Sequence, residues 1–399
     1  MCEPFVYPGG VSERVAQPIA VDEAAADEAA DQAADQPLAD ELATDALGRD
    51  ELAHNALAAD EFGNDQLGFD ELVGSLRAVA EPTRLRLVAL LGREELTVTE
   101  VGRVIGQSQP RASRHLRLLV AAGVLERAPE GNFVYYRLAE GSAAAALAHR
   151  LASLTPATDP ILAADLAALD RVRMARIEAA TAYRSAHADE LDALRPLYVG
   201  EAAVERALLD MLIDEGPIGR LLDIGTGTGR ILELLAPHTE QSVGLDVDHD
   251  MLQLARAALG EAQLSRAAVR HGDLHRPPFE AGSFDVAVMH HVLHLLDDPG
   301  AAISDAARLL RPGGRLLVAD FASHELERLR SVHGHRCLGI ADKAMLGWAV
   351  QAGLEIESER TLPPGRGGEQ LTVRLWLLRA TERTAAARAA SAVAMGATG

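Results

Sequence analysis

The sequence has 399 residues, of which 48% are hydrophobic and 24% charged, and its formal net charge is -21. Such a composition is typical of globular proteins, and the length predicts roughly two or three folded domains. No apolar stretch approaches the roughly 20 residues that cross a bilayer, and the opening MCEPFVYPGG lacks a basic head and an apolar signal core. We therefore expect a cytoplasmic protein without a membrane partner. With only Cys2 and Cys337, a disulfide framework and a closed thiolate metal site are excluded.

Residues 1–70 form an acidic leader, with 17 aspartates and glutamates against 2 arginines. From Asp40 to Leu72 a unit of Asp or Asn, any residue, then Leu or Phe recurs every five residues, as in DEL, DAL, NAL and DQL. This spacing gives neither a helix nor a strand a single apolar face. The repeat is also too short for the stacked coils of a solenoid. We predict that the leader is mostly disordered.

Residues 71–155 carry the pattern of a small DNA-binding domain. ELVGSLRAVAEPTRLRLVALLGREE predicts two helices, with Pro82 in a first turn. LTVTEVGRVIG predicts a third helix, in which Thr97 and Glu100 are spaced as a capping box and Gly106 marks the end. A short turn then leads to another helix, which is the arrangement of a helix-turn-helix.

Ser108 and Gly123 bound this fourth helix, and Ser108 is expected to cap it. The apolar spacing predicts an inward face of Ala112, Leu116, Leu119 and Val120. GVLERAPEGNFVYYRLAE then predicts two strands around a turn at Glu130 and Gly131. These strands form a wing, whose Asn132, Tyr135 and Arg137 are expected near a DNA backbone.

The stretch from 71 to 140 is the locally basic part of the chain, with 10 arginines against 8 acidic residues. Positive charge at the surface is what contact with phosphates requires. Arginine also reads guanine edges, while serine and glutamine suit bases or phosphates. The residues predicted to bind double-stranded DNA are Ser108, Gln109, Arg111, Ser113, Arg114, His115 and Arg117.

The region resembles the winged-helix ArsR family of bacterial repressors through AVAEPTRLRLVALL, QPRASRHLRLLVAAGVLERA and GNFVYYRL, in that order. The resemblance implies a homodimer that binds a two-fold DNA operator, with GSAAAALAHRLASL contributing to the pairing surface. Metal-sensing members carry a Cys-x-Cys pair on the third helix. Because this chain has Thr97 and Thr99 there, thiolate sensing at that site is not expected.

Residues 156–200 predict a helical linker, and strands alternate with helices over residues 201–380. The strands RLLDIG, SVGLDV, AAVRHGD, FDVAVMH and GRLLVAD predict a parallel sheet with crossover helices. LEIESER and LTVRLWLLR are joined by a loop rich in Gly and Pro, so we expect them to pair antiparallel at one edge. Residues 381–399 are expected to be a flexible tail.

The run LLDIGTGTGR ends one strand and opens a helix, where glycines allow tight turns and close approach to a ligand. A nicotinamide fingerprint has its last glycine at the position of Arg230. The spacing of Gly225, Gly227 and Gly229 instead resembles class I S-adenosylmethionine-dependent methyltransferases. The similarity extends over Leu191–Ala380 and is nearest to the UbiE-like group.

This second resemblance implies S-adenosylmethionine as the cofactor, S-adenosylhomocysteine as product or signal, and a small-molecule methyl acceptor. Asp246 ends the second strand, where a carboxylate accepts both ribose hydroxyls. Asp223 matches the acid near the methionine amino group, Met251 flanks the adenine, and Asp273 with the Leu274 amide forms the adenine corner. The cofactor-binding residues are thus predicted to be Asp223, Gly225, Gly227, Gly229, Asp246, Met251, Asp273, Leu274 and His290.

His290, His291 and His294 follow the predicted fourth strand. Methyl transfer from a sulfonium mainly requires alignment, so no catalytic dyad is needed, and His290 and His291 are candidates for accepting a proton. Cofactor contact or core packing is the alternative role. His290 and His294 also have the spacing of metal ligands, but the sequence shows no third ligand nearby, so no metal is predicted.

The predicted fold is therefore multidomain, α+β followed by α/β: a winged helix-turn-helix, then a Rossmann-like methyltransferase with a mostly parallel seven-stranded sheet. One hypothesis is a transcriptional regulator whose operator affinity responds to S-adenosylmethionine or S-adenosylhomocysteine. The alternative is an enzyme that methylates a small molecule, in which the winged helix governs its own gene or only dimerises the enzyme.

Overall fold

The structure is a computed structural model that describes residues 68–381, apart from 132, 141, 157, 187–200, 214, 215, 217, 265 and 365–370. The acidic leader up to residue 67, most of the predicted tail and Asn132 lie outside the described residues. In the part of the chain that is described, none of the helices combines the length and apolarity that a membrane span requires.

The first part of the fold is a winged helix-turn-helix, as predicted. A three-stranded antiparallel sheet of order β1-β3-β2 packs with helices around buried leucines such as Leu87, Leu116 and Leu119. Its elements are α1 Phe69–Val79, α2 Pro82–Leu91, β1 Leu96–Thr97, α3 Val98–Ile105, α4 Gln109–Ala121, β2 Leu125–Glu130 and β3 Phe133–Leu138.

The predicted helix ends are confirmed with one exception. Thr97 and Glu100 form the capping box of α3, which ends at Gly106 with a left-handed φ of 68°. Ser108 occupies the N-cap position of α4, but its side chain makes no capping hydrogen bond, so the predicted cap is wrong. A serine cap accepts a hydrogen bond from the amide of the second or third residue of a helix. The second residue of α4 is Pro110, which has no amide hydrogen.

The second part of the fold is a seven-stranded sheet of order β6-β5-β4-β7-β8-β10-β9, mostly parallel as predicted. The last two strands pair antiparallel at one edge, also as predicted, and β10 lies between β8 and β9. The strands are β4 Ile218–Ile224, β5 Thr239–Asp246, β6 Ala267–His271, β7 Phe284–His290, β8 Leu310–Phe321, β9 Leu354–Leu362 and β10 Val373–Ala380.

Two apolar layers cover the faces of this sheet, one containing Phe321 and the other Trp376, and both side chains are fully buried. Because both faces are covered, the strands read as continuous apolar runs rather than as alternating ones. The helices are α7 Glu201–Ile213, α8 Arg230–Leu235, α9 His249–Glu261, α10 Pro299–Leu309, α11 Arg328–Val332 and α12 Asp342–Ala352.

The region between the two parts is helical, as predicted. It contains α5 Ala143–Leu154 and α6 Pro160–Ala186. Leu169 and Val172 of α6 join the core of the winged helix, whereas Ala180 packs on Leu254 and Ala257 of α9. The helix predicted as a linker therefore packs against both parts of the fold.

Buried ion pairs join the wing to the methyltransferase-like part. Arg256 of α9 donates from both Nη atoms to the two carboxylate oxygens of Glu130, each at 2.6 Å, and these side chains are 7% and 4% exposed. Arg270 of β6 pairs with Glu95, and this ion pair also connects the two parts of the fold. Bidentate, charge-assisted pairs fix orientation as well as distance, so the wing is held against α9 and β6.

This contact corrects the prediction that Tyr135 lies near DNA, whereas Asn132 is outside the described residues. Tyr135 is buried with the Arg256 guanidinium 3.9 Å above its ring, and Arg137 pairs with Glu126 and Glu95. At the turn, a Cβ on Gly131 would lie 2.9 Å from Nε2 of His249. Glu130, Gly131 and Tyr135 of the wing are thus in contact with the neighbouring domain, while Arg127 and Phe133 are exposed.

We predict that Glu130→Gln lowers the free energy of unfolding by about 3 kcal/mol, because it leaves the buried Arg256 guanidinium without its main counterion. The effect falls at the lower end of such losses because Glu95 lies 3.7 Å from Arg256 and retains part of the attraction. Urea unfolding measures it. In the exposed Arg330–Glu327 pair, Glu327→Gln should cost under about 1 kcal/mol, and equal losses in the two variants would contradict the prediction.

Candidate cofactor site and DNA-binding helix

The glycine loop connects β4 to α8 at the carboxyl edge of the sheet. Gly225, Gly227 and Gly229 have φ angles of 70°, 51° and 82°, a region that favours glycine. A Cβ on Gly225 would lie 2.5 Å from Cγ2 of Val292, and one on Gly229 3.0 Å from Cβ of Ala255, whereas one on Gly227 would meet nothing within 4 Å. Gly227 is therefore the point where the loop backbone faces open space.

Two buried carboxylates flank this loop. Asp223 of β4 accepts a hydrogen bond of 2.6 Å from the Thr226 hydroxyl. Asp246, the last residue of β5, accepts from the Gly227 amide at 2.8 Å and from the Asp248 amide at 3.0 Å. Burial raises the pKa of Asp223 to about 7, with the Asp246 charge adding to it, and burial also raises the pKa of Asp246.

None of the ion pairs among the described residues involves either carboxylate. Buried charges are costly unless paired. The two carboxylates therefore fit a ligand with a cationic group near Asp223 and hydroxyl groups near Asp246. The Asp246 oxygens can accept further hydrogen bonds.

The other predicted cofactor residues gather at the same edge. The Gly272 amide donates to the Asp246 carbonyl at 2.9 Å, which brings Asp273 and the buried Leu274 beside the end of β5. Asp273 is exposed. Met251 is half-buried, and its amide donates to Asp248 at 3.1 Å while its side chain packs toward α6.

The histidines lie on the far side of the loop. His290 ends β7 and is half-buried, with its ring centroid 4.5 Å from that of His291. Burial lowers the pKa of His290 to about 4 and that of His291 well below its usual value. His294 lies 2.7 Å from Asp320, a buried partner that the sequence analysis missed. A signal existed, because Asp320 stands near the carboxyl end of a parallel strand, where ligands bind in such sheets.

On α4 the predicted division of faces is confirmed. Ala112, Leu116 and Leu119 are buried, while Val120 is half-buried. Ser113 and His115 are also half-buried, and Nδ1 of His115 lies 3.7 Å from the Glu81 carboxylate. The predicted DNA-binding residues that are exposed are Ser108, Gln109, Arg111, Arg114 and Arg117.

Comparison with known families separates the two parts in the same way. Residues 222–318 match the methyltransferase domain family. Residues 79–128 match a helix-turn-helix domain family. The chain therefore joins a helix-turn-helix domain to a methyltransferase domain in one polypeptide.

Curated relatives match the second of these domains. Nocamycin O-methyltransferase of Saccharothrix syringae is 40% identical over 116 residues, which are 28% of this chain and 41% of that protein. Demethylmenaquinone methyltransferase of Tropheryma whipplei is 36% identical over 102 residues, 26% of this chain and 41% of that protein. The chain thus spans about two fifths of the length of these relatives.

Among solved structures, the YcgJ protein of Bacillus subtilis is similar to this chain with a TM-score of 0.40 and 18% identity. The match covers 46% of this chain and all of that one.

We predict that Asp223→Asn makes the fold more resistant to urea than the wild type as pH rises from about 4 to about 7. Over that interval the native state of the wild type holds a proton that the unfolded chain has released, because the native pKa is about 7 and the ordinary value 3.8. Stability therefore falls with rising pH, by a few kcal/mol in all. Asparagine does not titrate.

Urea unfolding at pH 5 and pH 8 measures this difference. The exposed Asp297 provides the control, since Asp297→Asn should follow the wild type at both values. Parallel pH profiles for Asp223→Asn and the wild type would contradict the assignment.

We predict that Arg111→Ala and Arg114→Ala each weaken binding to a random-sequence duplex and reduce its salt dependence by about one unit of log-log slope, as expected for the loss of one phosphate contact. Fluorescence anisotropy at several salt concentrations measures both quantities. Arg266→Ala, at an exposed position of the methyltransferase domain, is the matched control. Unchanged affinity in the α4 variants would leave the winged helix with a dimerising role only.

Proposed function

We propose that the protein is an S-adenosylmethionine-dependent methyltransferase and a DNA-binding transcriptional regulator, whose operator affinity depends on whether the nucleoside site is filled. The observation that carries the proposal is the buried Glu130–Arg256 pair, since it links the DNA-binding domain to a helix of the cofactor site.

The methyl donor is S-adenosylmethionine, which supplies a methyl group on a cationic sulfonium when bound. Asp246 is positioned to accept the ribose hydroxyls, and the open face at Gly227 admits a ligand against the backbone. Asp223 offers its carboxylate to the amino group. Met251, Asp273 and Leu274 border the space assigned to the adenine. The match to the methyltransferase domain family supports this assignment.

The methyl acceptor is a small molecule. The names of the relatives, nocamycin O-methyltransferase and demethylmenaquinone methyltransferase, support this substrate class. Alignment by the site is the main contribution to methyl transfer from a sulfonium, and His290 and His291 border the reacting end of the site in this assignment.

The DNA-binding surface is α4, whose exposed Arg111, Arg114 and Arg117 share one side of the helix. The similarity to winged-helix repressors supports a homodimer on a two-fold operator, in which α4 of each protomer enters the major groove. Because the wing is engaged with α9, we assign the DNA contact to the helix.

Coupling between the two sites has a short physical route. Arg256 lies on α9, the helix that directly follows the Asp246 carboxylate and carries Met251. Arg270 lies on β6, three residues before Asp273, and pairs with Glu95 beside β1. Both segments that border the nucleoside half of the site thus hold the winged helix by buried charge.

A ligand changes DNA affinity only if it favours one arrangement of the protein over another. A bound nucleoside would restrict the positions of α9 and β6. Because Arg256 and Arg270 on these elements pair with the winged helix, this would favour one position of the wing. S-adenosylmethionine and S-adenosylhomocysteine share this nucleoside, so the signal we assign is occupancy of the site rather than the methyl group.

We predict that both nucleosides shift the affinity for operator DNA by a similar factor within the 5–150-fold range typical of allosteric coupling. Binding curves on operator DNA selected from genomic fragments, with and without each nucleoside, measure the shift. Asp246→Asn should lose nucleoside binding and the shift, but retain DNA binding. An unchanged curve at nucleoside saturation would refute the coupling.

The double variant Glu130→Gln with Arg256→Met tests whether the Glu130–Arg256 pair carries the coupling. It removes both buried charges together, which is far less costly than removing one. We expect it to bind DNA and each nucleoside separately but to show a smaller shift, since the Arg270–Glu95 pair remains. A shift of wild-type size in this variant would place the coupling elsewhere.

A second candidate is an enzyme that methylates a small metabolite while the winged helix governs its own gene independently of the nucleoside. It is favoured by the presence of a suitable residue at every predicted cofactor position. Turnover of a methyl acceptor in cell extracts, together with DNA binding that ignores both nucleosides, would support it over the coupled regulator.

A further inference from the structure

Metal-ligating side chains cluster where β7 and β8 end, beyond the glycine loop. His291 directly follows β7, His294 lies in the short 3-10 helix Leu293–Leu295, and Asp320 is the penultimate residue of β8. One nitrogen or oxygen of each lies within 4.8 Å of those of the other two. Two neighbouring imidazoles and a carboxylate from a later strand are thus close together.

The Asp320 carboxylate is buried beside an imidazole rather than beside an arginine or a lysine. Asp320 is fully buried and His294 is 3% exposed, and they lie 2.7 Å apart through Oδ1 and Nδ1. Among the described residues, no arginine or lysine forms an ion pair with Asp320. Asp320 also accepts the Phe321 amide at Oδ1, at 2.7 Å, and the His294 amide at Oδ2, at 3.3 Å. A carboxylate that orients a histidine in this way recurs at metal centres.

A second observation points to a ligand at this place. His335 is buried, its ring centroid lies 4.3 Å from that of His294, and its Nδ1 atom finds no hydrogen-bond partner within the described part of the chain. Buried polar groups in native proteins are almost always partnered. His335 is therefore a further donor next to the cluster, outside the set of three residues whose ligand atoms lie within 4.8 Å of one another.

The backbone at His291 is also unusual. Its φ is 56°, a left-handed conformation that non-glycine residues rarely adopt, and its amide donates to the Ala319 carbonyl at 2.8 Å. Such backbone strain concentrates at functional sites. Here it places the imidazole 4.6 Å from the Phe321 ring, on the side of the cluster.

We propose that His291, His294 and Asp320 bind one divalent first-row transition metal ion, with His335 as a fourth ligand. Imidazole and carboxylate donors suit zinc, iron, cobalt or nickel, whereas magnesium and calcium prefer oxygen alone. Ligands at about 2.1 Å from a zinc ion lie about 3.5 Å from one another. The hydrogen bond of 2.7 Å between His294 Nδ1 and Asp320 Oδ1 is shorter than this, so these two side chains must rotate apart for both to bind one ion.

This site adjoins the reacting end of the proposed cofactor site, which His291 borders, and shares none of the residues assigned to nucleoside binding. Val292 lies between His291 and the 3-10 helix and packs against Gly225, so the metal ligands are next to the glycine loop on its Val292 side. The pair suggested by sequence spacing, His290 and His294, is replaced in the structure by His291 and His294 together with Asp320. Metal binding can thus be measured without a nucleoside, and each proposal can fail without the other.

The full chain, stripped with a chelator, is titrated with Co(II) while the visible d–d absorption is followed, and with Zn(II) by calorimetry. We expect one equivalent of either metal per chain. His291→Asn should weaken the affinity by more than the roughly 10–100-fold caused by loss of an outer partner. Asparagine tolerates the left-handed backbone, so this variant should fold, and circular dichroism checks that it does.

His335→Gln is the second variant and should also weaken binding while altering the Co(II) spectrum. His275 is the matched control, because it is exposed and its Nδ1 lies 2.5 Å from Asp305 in another histidine–carboxylate pair. His275→Asn should retain the wild-type affinity and spectrum. Absence of Co(II) uptake by the wild type, or equal affinities for His291→Asn and His275→Asn, would overturn the proposal.

Discussion

The bidentate contact between Glu130 and Arg256 fixes how the wing lies against the methyltransferase domain. Each partner is almost fully buried, so the loss of either one leaves the other with a buried charge that has lost its main counterion. Removal of the wing from α9 would therefore expose several charges at once. The interface is held in a defined register, although it is polar, because charge-assisted hydrogen bonds are directional.

This contact also explains how a chain of net charge -21 can present a surface to DNA. Arginines of the wing and of the second domain face glutamates inside the interface, whereas Arg111, Arg114 and Arg117 of α4 remain exposed. Charges separated by more than about 8 Å are screened at physiological salt. The local charge of α4 therefore matters more for phosphate contact than the total charge of the chain.

Local features of the fold were predictable from the sequence, and long-range ones were not. The capping box of Thr97 and Glu100, the glycine loop and the strand alternation depend on residues close in the chain, so their spacing identified them. Glu130 and Arg256 are 126 positions apart, and Asp320 lies 26 positions from His294. No periodicity relates such residues. The sequence therefore predicts a wing near DNA, as in the winged-helix repressors that it resembles, and shows two of the histidines of the proposed metal site without their carboxylate.

The strand order gives the two ends of the site different neighbours. From β4 at the glycine loop, β5 and β6 lead on one side to Asp246, Arg256 and Arg270, whereas β7 and β8 lead on the other to His291 and Asp320. In the arrangement we propose, the nucleoside half lies over the side that holds the winged helix, and the reacting half lies over the histidines. A signal that travels through buried charge on the first side has no direct contact with the methyl group. Discrimination between methylated and spent cofactor would therefore have to begin at the histidine side and cross the glycine loop.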